Sequence, residues 1–325
     1  MIVRPAFARA CFFKLPGRGP MSRHNQFGIG VAAAFAAIMI WGAQLPVAKA
    51  AYAALDPYTL TAIRYALASL VLVIILALRE GPTAFSCGPQ PLRLVLAGVL
   101  GMAGSPLLVF VGLLYTLPEH AVIIIALQPS LMAILQWRLY GRRPPDFTIG
   151  AIAVAFAGVV LVVIGHGIKP GEAKLLGDLL VLSGVLCWIS YTLMLGSFPG
   201  FGVLRFTTLS CFFGTLAICA AAAIALLTGA ARIPDMPTLV TVTPHVLFLA
   251  IPGVVLALLL WNYGHARIGA LNSMLLLNLM PIETYLIRYL QGARFTWQEW
   301  TGAAMVVGAL VANSLFQRRV HAMAQ

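Results

Sequence analysis

The chain is built from long apolar runs, and these runs limit it to a small set of folds. Stretches of about 20 mostly apolar residues follow one another, each long enough to cross a bilayer as an α-helix. Inside a bilayer every backbone N–H and C=O group needs an internal partner, so only helices and closed barrels can span it. Charged residues make up 9% of the sequence, against about 25% in soluble domains. We therefore predict an all-α polytopic membrane protein.

Ten transmembrane helices are predicted, with short connections rich in Pro, Gly and charged residues. They lie near residues 28–48, 58–79, 93–114, 119–138, 147–166, 175–196, 203–228, 244–263, 270–290 and 299–317. Most Lys and Arg residues fall on one side if the N-terminus is cytoplasmic, as the bias of inner loops toward these residues requires. The prediction is a multi-pass protein of the cell (inner) membrane with both termini in the cytoplasm.

The two halves of the sequence are similar to each other. In ALQPSLMAILQWRLYGRRPPDFTIGAIAVAFAG and NLMPIETYLIRYLQGARFTWQEWTGAAMVVGAL, Pro129 precedes Gly150 by the same 21 positions that separate Pro281 from Gly302. Five spans per copy would insert the second copy with opposite polarity, the inverted repeat of many secondary transporters. The predicted domains are a basic arm at 1–26 (with Met21 as an alternative start), two five-helix repeats at 27–166 and 167–317, and a tail at 318–325.

Glu283 lies within the ninth predicted span, where a charge costs roughly 2.5–3.5 kcal/mol on insertion scales. Two polar stripes are predicted on this helix: Asn272 shares the face of Glu283, and Asn278 shares another face with Tyr285. An acid that loses and gains a proton as water reaches it from alternate sides could couple transport to protons. The alternative is structural, with Glu283 neutral or paired with Arg288 or Arg64.

Further polar residues on other helices are candidates for a substrate cavity. Trp41, Gln44 and Lys49 follow one another on the first predicted helix, and Lys49 either reaches the interface or lines the cavity. Arg64 keeps its charge and is either an anchor for an anionic group or a structural partner.

Aromatic residues of the second half extend this set of candidates. Trp188 and Tyr191 combine aromatic walls with polar tips, which suits small amphipathic solutes. We interpret Trp261 and its neighbours as an interfacial belt. Gln128 and Ser130 flank Pro129, which either hinges its helix or is repaired locally by the serine hydroxyl.

Several segments together carry a family resemblance. They are WGAQLPVAKAAYAALDPYTLTAIRYALASL (with Trp41, Lys49, Pro57 and Arg64), LLGDLLVLSGVLCWISYTLML (with Asp178 and Trp188), IGALNSMLLLNLMPIETYL and TGAAMVVGALVAN. Their order and spacing resemble the EamA-like families of the drug/metabolite transporter superfamily. The resemblance implies ten helices, a central cavity between two repeats, and transport of small metabolites, often outward.

The sequence departs from this family's pattern at acidic positions. The family usually carries a glutamate after a glycine where this chain has Arg142 and Ala293. It also commonly has a glutamate directly before the proline of the ninth helix, where this chain has Met280. Our hypothesis is that Glu283, one turn further on, takes the place of this acid on the same cavity wall.

The leading functional prediction is a secondary transporter of an amino acid or a drug-like amphiphile, with export as the expected direction. The alternatives are a carrier of lipid-linked or nucleotide sugars and a membrane interaction subunit that does not transport. Scattered histidines and the lack of HExxH or Walker motifs argue against an enzyme. The expected partners are a small-molecule substrate, the lipid bilayer, protons and a second copy as a homodimer, with no nucleic acid, cofactor or metal.

Overall fold

The computed structural model describes residues 23–141, 143–165, 173–195, 198 and 200–323, and within them it has helices and loops but no strand. The α-helices are α1 (Arg23–Ala51), α2 (Pro57–Glu80), α3 (Pro91–Ala97), α4 (Ser105–Tyr115), α5 (Pro118–Ala126), α6 (Gln128–Tyr140), α7 (Asp146–Gly165), α8 (Ala173–Leu195), α9 (Val203–Leu227), α10 (Met236–Ala250), α11 (Ala257–Leu276), α12 (Met280–Leu290) and α13 (Trp297–Met323). Two π-helical segments, Gly98–Gly104 and Ile251–Leu256, join α3 to α4 and α10 to α11.

Six helical segments among the described residues are long and apolar enough to cross a membrane. They are Gln26–Ala51, Pro57–Glu80, Pro91–Tyr115, Leu175–Met194, Val203–Leu227 and Met236–Ile268. Two shorter apolar helices are His120–Leu135 and Asp146–Val162. The prediction of an all-α chain with several membrane spans is therefore confirmed, whereas the number ten stays a prediction. The basic arm before Arg23 lies outside the described residues.

The eighth predicted span, near 244–263, begins too late. Its helix already starts at Met236, because the side chain of Asp235 accepts a hydrogen bond from the backbone N–H of Thr238 at 3.0 Å. Such an N-cap satisfies one of the unpaired donors of a first helical turn, and a proline in that turn loses no hydrogen bond. Asp56 caps α2 in the same way, with the N–H of Thr59 at 2.8 Å. Hydropathy alone gives no weight to these start signals.

Glycines allow several helix pairs to pack with their backbones in close approach. At five of the six glycines an added Cβ atom would come within 3 Å of a carbonyl oxygen of the partner helix, and at Gly30 it would come within 3 Å of side-chain atoms of Arg267 and Ile268. The pairs are Gly158 with Gly302 (α7 and α13), Gly112 with Gly177 (α4 and α8), and Gly264 with Gly30 (α11 and α1). This packing holds the helices that surround the interior.

Replacing Gly158 by valine should destabilise the protein, because a Cβ there would lie 2.6 Å from the carbonyl oxygen of Gly302. Overpacking of this kind costs about 1–3 kcal/mol. Gly150 is the control on the same helix, since a Cβ at Gly150 would meet nothing within 4 Å. Thermal denaturation of the detergent-solubilised protein should give a lower midpoint for Gly158→Val than for Gly150→Val. Equal midpoints would contradict the close approach of α7 and α13.

Candidate functional site

A cavity of about 120 Å³ lies in the interior of the helical bundle. Its described lining comes from both halves of the sequence, with side chains of α1, α2, α4, α8, α11 and α12 among them. Gly101 and Gly253 also line it, and each lies in one of the two π-helical segments. π-Helical turns occur frequently at functional sites. The cavity holds four of the predicted site residues, Trp41, Gln44, Arg64 and Trp188.

Arg64 is the charged residue of this cavity, and its side chain is only 1% exposed. Its Nη1 donates a hydrogen bond to Oε1 of Gln44 at 2.8 Å. The amide nitrogen of Gln44 in turn donates to the carbonyl oxygen of Gly253 at 3.1 Å. This chain of hydrogen bonds links α2 and α1 to the second π-helical segment and fixes the guanidinium at the cavity.

Aromatic rings partly replace a counter-ion beside Arg64. The guanidinium carbon lies 3.8 Å from the ring centroid of Phe110 and 5.0 Å from that of Tyr65. A cation over the face of an aromatic ring is attracted by its quadrupole, more strongly where water is excluded. No carboxylate of the described residues forms an ion pair with Arg64, and its Nε atom has no hydrogen-bond partner there. The structural alternative of an Arg64–Glu283 pair is therefore absent from the described residues.

Three tryptophans form one cluster at the cavity. The ring of Trp41 lies 5.4 Å from that of Trp188, edge to face, and 5.3 Å from that of Trp261. Trp41 also donates from Nε1 to the carbonyl oxygen of Gly253 at 3.2 Å. Trp261 is fully buried, so our interpretation of this residue as part of an interfacial belt is wrong. The interpretation rested on its position near the end of a predicted span, but α11 places the ring inward against Trp41.

Two further predicted residues lie behind or beside the cavity wall. Tyr191 is buried with its ring 5.1 Å from that of Trp188, and its hydroxyl accepts a hydrogen bond from Asn262 at 3.3 Å. Lys49 donates from Nζ to the backbone carbonyl oxygens of Leu113 and Thr116 at the end of α4. Tyr191 thus supports a tryptophan of the wall, and Lys49 joins the end of α1 to the end of α4.

Glu283 lies at the contact between α12 and α1. A Cβ atom at Gly42 of α1 would overlap its carboxylate, and the next residue, Thr284, donates to the carbonyl oxygen of Gly42 at 3.2 Å. Oε2 of Glu283 is buried without a hydrogen-bond partner among the described residues. Met280 lines the cavity, whereas the described lining does not include Glu283. The hypothesis that Glu283 replaces an acid on the same wall therefore stays a prediction, and the described lining places Met280 at that position.

Of the other predicted residues of this region, Tyr285 is described and does not belong to the described lining. Tyr285 is buried and packs its ring against Phe295 and Trp300, at 4.7 and 5.7 Å. The side chains of Asn272 and Asn278 lie outside the described residues.

Sequence reasoning missed several residues of the wall, Phe110 and Ser105 among them, and gave Gln128 only a structural role. Gln128 lines the cavity, is 5% exposed, and its Oε1 has no hydrogen-bond partner among the described residues. A glutamine directly before a helical proline was a usable signal for it. Phe110 carries no such signal, because its position over Arg64 depends on how α4 packs against α2.

Comparison with known proteins identifies a family that this chain matches. The model of the EamA-like transporter family matches residues 28–164 and again residues 175–315. The uncharacterized transporter YrdR of Bacillus subtilis (strain 168) is 31% identical over 91% of this chain and 94% of its own length. The uncharacterized transporter YyaM of the same organism is 29% identical over 85% and 90%. One solved crystal structure shares the fold, with a TM-score of 0.64 at 22% identity over 89% of this chain and 98% of that chain.

Replacing Gln44 by methionine should destabilise the protein, because Arg64 would lose the acceptor for its Nη1 hydrogen bond. Hydrogen bonds to charged groups contribute about 1.5–3 kcal/mol. Leu45, the buried neighbour of Gln44, is the control, because Leu-to-Met swaps cost less than about 1.5 kcal/mol. The midpoint of thermal denaturation should fall for Gln44→Met and change little for Leu45→Met. A Gln44→Met protein as stable as the wild type would mean that this hydrogen bond does not hold Arg64.

Proposed function

Because the chain belongs to the EamA-like transporter family, we propose that it is a secondary transporter that exports a small metabolite by alternating access. Its substrate in this proposal is an amino acid or a drug-like amphiphile. The observation that carries the proposal is the interior cavity with the fixed cation of Arg64 among aromatic side chains. A membrane interaction subunit that does not transport would need no such cavity. A sugar-nucleotide carrier would need more cations than the described lining supplies.

We further propose that the chain crosses the membrane ten times as two inverted five-helix repeats. The support comes from contacts that correspond between the halves. Gly112 and Gly264 are separated by 152 positions, as are Gly101 and Gly253 in the two π-helical segments, and Pro129 and Pro281. Gly30 and Gly177 are separated by 147 positions, as are Trp41 and Trp188. Exchanging the halves therefore maps the contact of α1 with α11 onto the contact of α8 with α4.

The contacts of α1 also support a reversal of the chain between the eighth and ninth proposed spans. Gly253 lies beside Gln44, and Gly264 lies beside Gly30, near the other end of α1. Glu283, further along the chain, lies beside Gly42, which is close to the level of α1 at which Gly253 lies. A chain that runs along α1 in one direction and returns to the same level crosses the bilayer twice.

In the proposed mechanism, α1 closes the cavity on the outer side through its C-terminal end. There the hydroxyl of Tyr52 donates to the carbonyl oxygen of Phe110 at 2.6 Å, and Lys49 donates to the carbonyl of Thr116 at 3.1 Å. Thr116 also donates from its hydroxyl to Asp178 of α8 at 2.6 Å. These bonds join the outer ends of three helices, and their rupture would open the cavity outward. A drug-sized ligand needs roughly 300–1,000 Å³, so the cavity must widen to accept one.

Coupling to protons through Glu283 is the finer part of the proposal. Its buried Oε2 has neither a donor nor a cation beside it among the described residues. Binding or release of a proton there changes the charge at the contact of α1 with α12, which sits next to the cavity residues Trp41 and Met280. An unpaired charge at a helix contact is costly, so the proton state can bias how these two helices pack.

The proposed topology predicts which loop positions a membrane-impermeant maleimide can reach in intact cells. In a chain whose native cysteines have been replaced, Ala54→Cys and Ala230→Cys should react, because both lie in proposed outer loops and are exposed. Thr83→Cys, exposed in a proposed inner loop, should react only after the membrane is permeabilised. Labelling of Thr83→Cys in intact cells would refute this orientation.

Glu283→Gln should abolish accumulation driven by a pH gradient in proteoliposomes and retain exchange of substrate across the membrane. The neutral amide cannot carry a proton, whereas the cavity keeps Arg64 and its aromatic walls. Glu80, exposed at the end of α2, is the control, and Glu80→Gln should behave like the wild type. Unchanged accumulation by Glu283→Gln would leave the carboxylate with a structural role. Failure of the wild type to move any metabolite faster than empty liposomes would overturn the transporter itself.

A further inference from the structure

The charge of the cavity wall is one-sided. Among the described residues that line the cavity, Arg64 carries a positive charge and none carries a negative one. The nearest acid of α12, Glu283, lies beside Gly42 and is not part of the described lining, and the wall position one turn before it is Met280. A solute inside the cavity therefore meets a fixed cation without a compensating carboxylate.

The guanidinium of Arg64 has hydrogen-bonding capacity to spare. An arginine carries five N–H donors, and the described acceptor for this one is Oε1 of Gln44. Its Nε is buried without a partner among the described residues. A buried charge that lacks its counter-ion is costly, and a ligand that brings the opposite charge removes that cost. A carboxylate fits this need, because it accepts two parallel hydrogen bonds from a guanidinium.

The described lining offers an ammonium group few free hydrogen-bond acceptors. Oε1 of Gln44 already accepts from Arg64, and the carbonyl oxygen of Gly253 already accepts from both Trp41 and Gln44. Oε1 of Gln128 is the remaining amide acceptor of the described lining without a donor. The acceptors left, which include the hydroxyl of Ser105, are neutral and do not offset the charge of an ammonium group. The charge of Arg64 repels a second cation where water is excluded.

We propose that this cavity selects small monocarboxylates without an amino group over the corresponding zwitterionic amino acids, with Arg64 as the anion-binding residue. The body of the preferred solute is apolar, because Trp41, Trp188 and Phe110 line the cavity and the ring of Phe110 lies against the guanidinium. The proposal rests on the proposed transport function and, of its two substrate candidates, drops the amino acid in favour of an amphiphile of one chemical class, an apolar monocarboxylate. It extends the role of Arg64 from holding a helix to setting the charge that the site accepts.

Three ligands with the same branched hydrocarbon chain test this selectivity. They are 4-methylpentanoate, leucine (the same acid with an amino group) and 3-methylbutylamine (leucine without its carboxylate). All three are transparent where tryptophan absorbs, so the emission of the purified full chain, with Trp41 and Trp188 in the wall, reports their binding. We expect 4-methylpentanoate to bind at least about tenfold more tightly than leucine, and the amine not to bind. Leucine binding as tightly as 4-methylpentanoate, or more tightly, would overturn the proposal.

Variants assign this selectivity to the charge of the wall. Arg64→Gln should weaken binding of 4-methylpentanoate by at least about tenfold, whereas Arg64→Lys should retain part of it. Met280→Glu adds an acid to the same wall without touching Arg64, and should reverse the preference toward leucine. Met280→Gln, similar in size and uncharged, is its control and should keep the preference of the wild type. An unchanged preference in Met280→Glu would overturn the proposal even if the Arg64 variants fail to fold.

Uptake of the same radiolabelled ligands into proteoliposomes separates this inference from the proposed function. Transport of 4-methylpentanoate in preference to leucine supports both. Transport of leucine in preference to its amino-free analogue overturns the inference and leaves the transporter in place. If none of the three ligands binds or moves, the inference also falls, and transport of any other metabolite above empty liposomes would still uphold the proposed function.

Discussion

A guanidinium buried between apolar helices is the constraint around which the interior of this protein is arranged. Arg64 cannot give up its charge, and its desolvation would cost several kcal/mol without compensation. The chain supplies that compensation in two parts, with the amide oxygen of Gln44 at 2.8 Å and the ring of Phe110 at 3.8 Å. Because Gln44 is itself bonded to Gly253, the position of one side chain depends on α1, α2, α4 and a π-helical segment together. The cavity lies where these four elements meet.

Glycine allows other helices of the bundle to pack closely. The pairs of α1 with α11, α4 with α8 and α7 with α13 approach so closely that a Cβ would overlap a carbonyl oxygen of the partner. In a bilayer there is little hydrophobic gain from helix association, so close packing and interhelical hydrogen bonds have to hold the bundle. The pair of α1 with α11 corresponds to the pair of α8 with α4, at spacings of 147 and 152 positions, and the model of one family matches both halves separately. The described lining of the cavity accordingly comes from both halves of the sequence.

Much of the fold could be predicted from the sequence, because membrane spans depend mainly on local hydropathy. The start of α10 could not, since Asp235 and Pro237 determine it through capping rather than hydropathy. For the site, the sequence indicated Trp41, Gln44, Arg64 and Trp188, which the structure places at one cavity. The sequence could not show that Met280 lines the cavity whereas Glu283 packs against Gly42 of α1. This difference depends on how α12 packs. The sequence also could not show that Trp261 is buried, because burial depends on contacts distant in sequence.

A ligand-bound structure would test the role of the cavity charge most directly. Crystals of the full chain soaked with 4-bromobenzoate would place the bromine by its anomalous signal and the carboxylate by its density. The account predicts the ring packed against Trp41 and Trp188 and the carboxylate at a hydrogen-bonding distance of about 3 Å from the guanidinium of Arg64. A ligand bound elsewhere, with Arg64 still bonded only to Gln44, would contradict it.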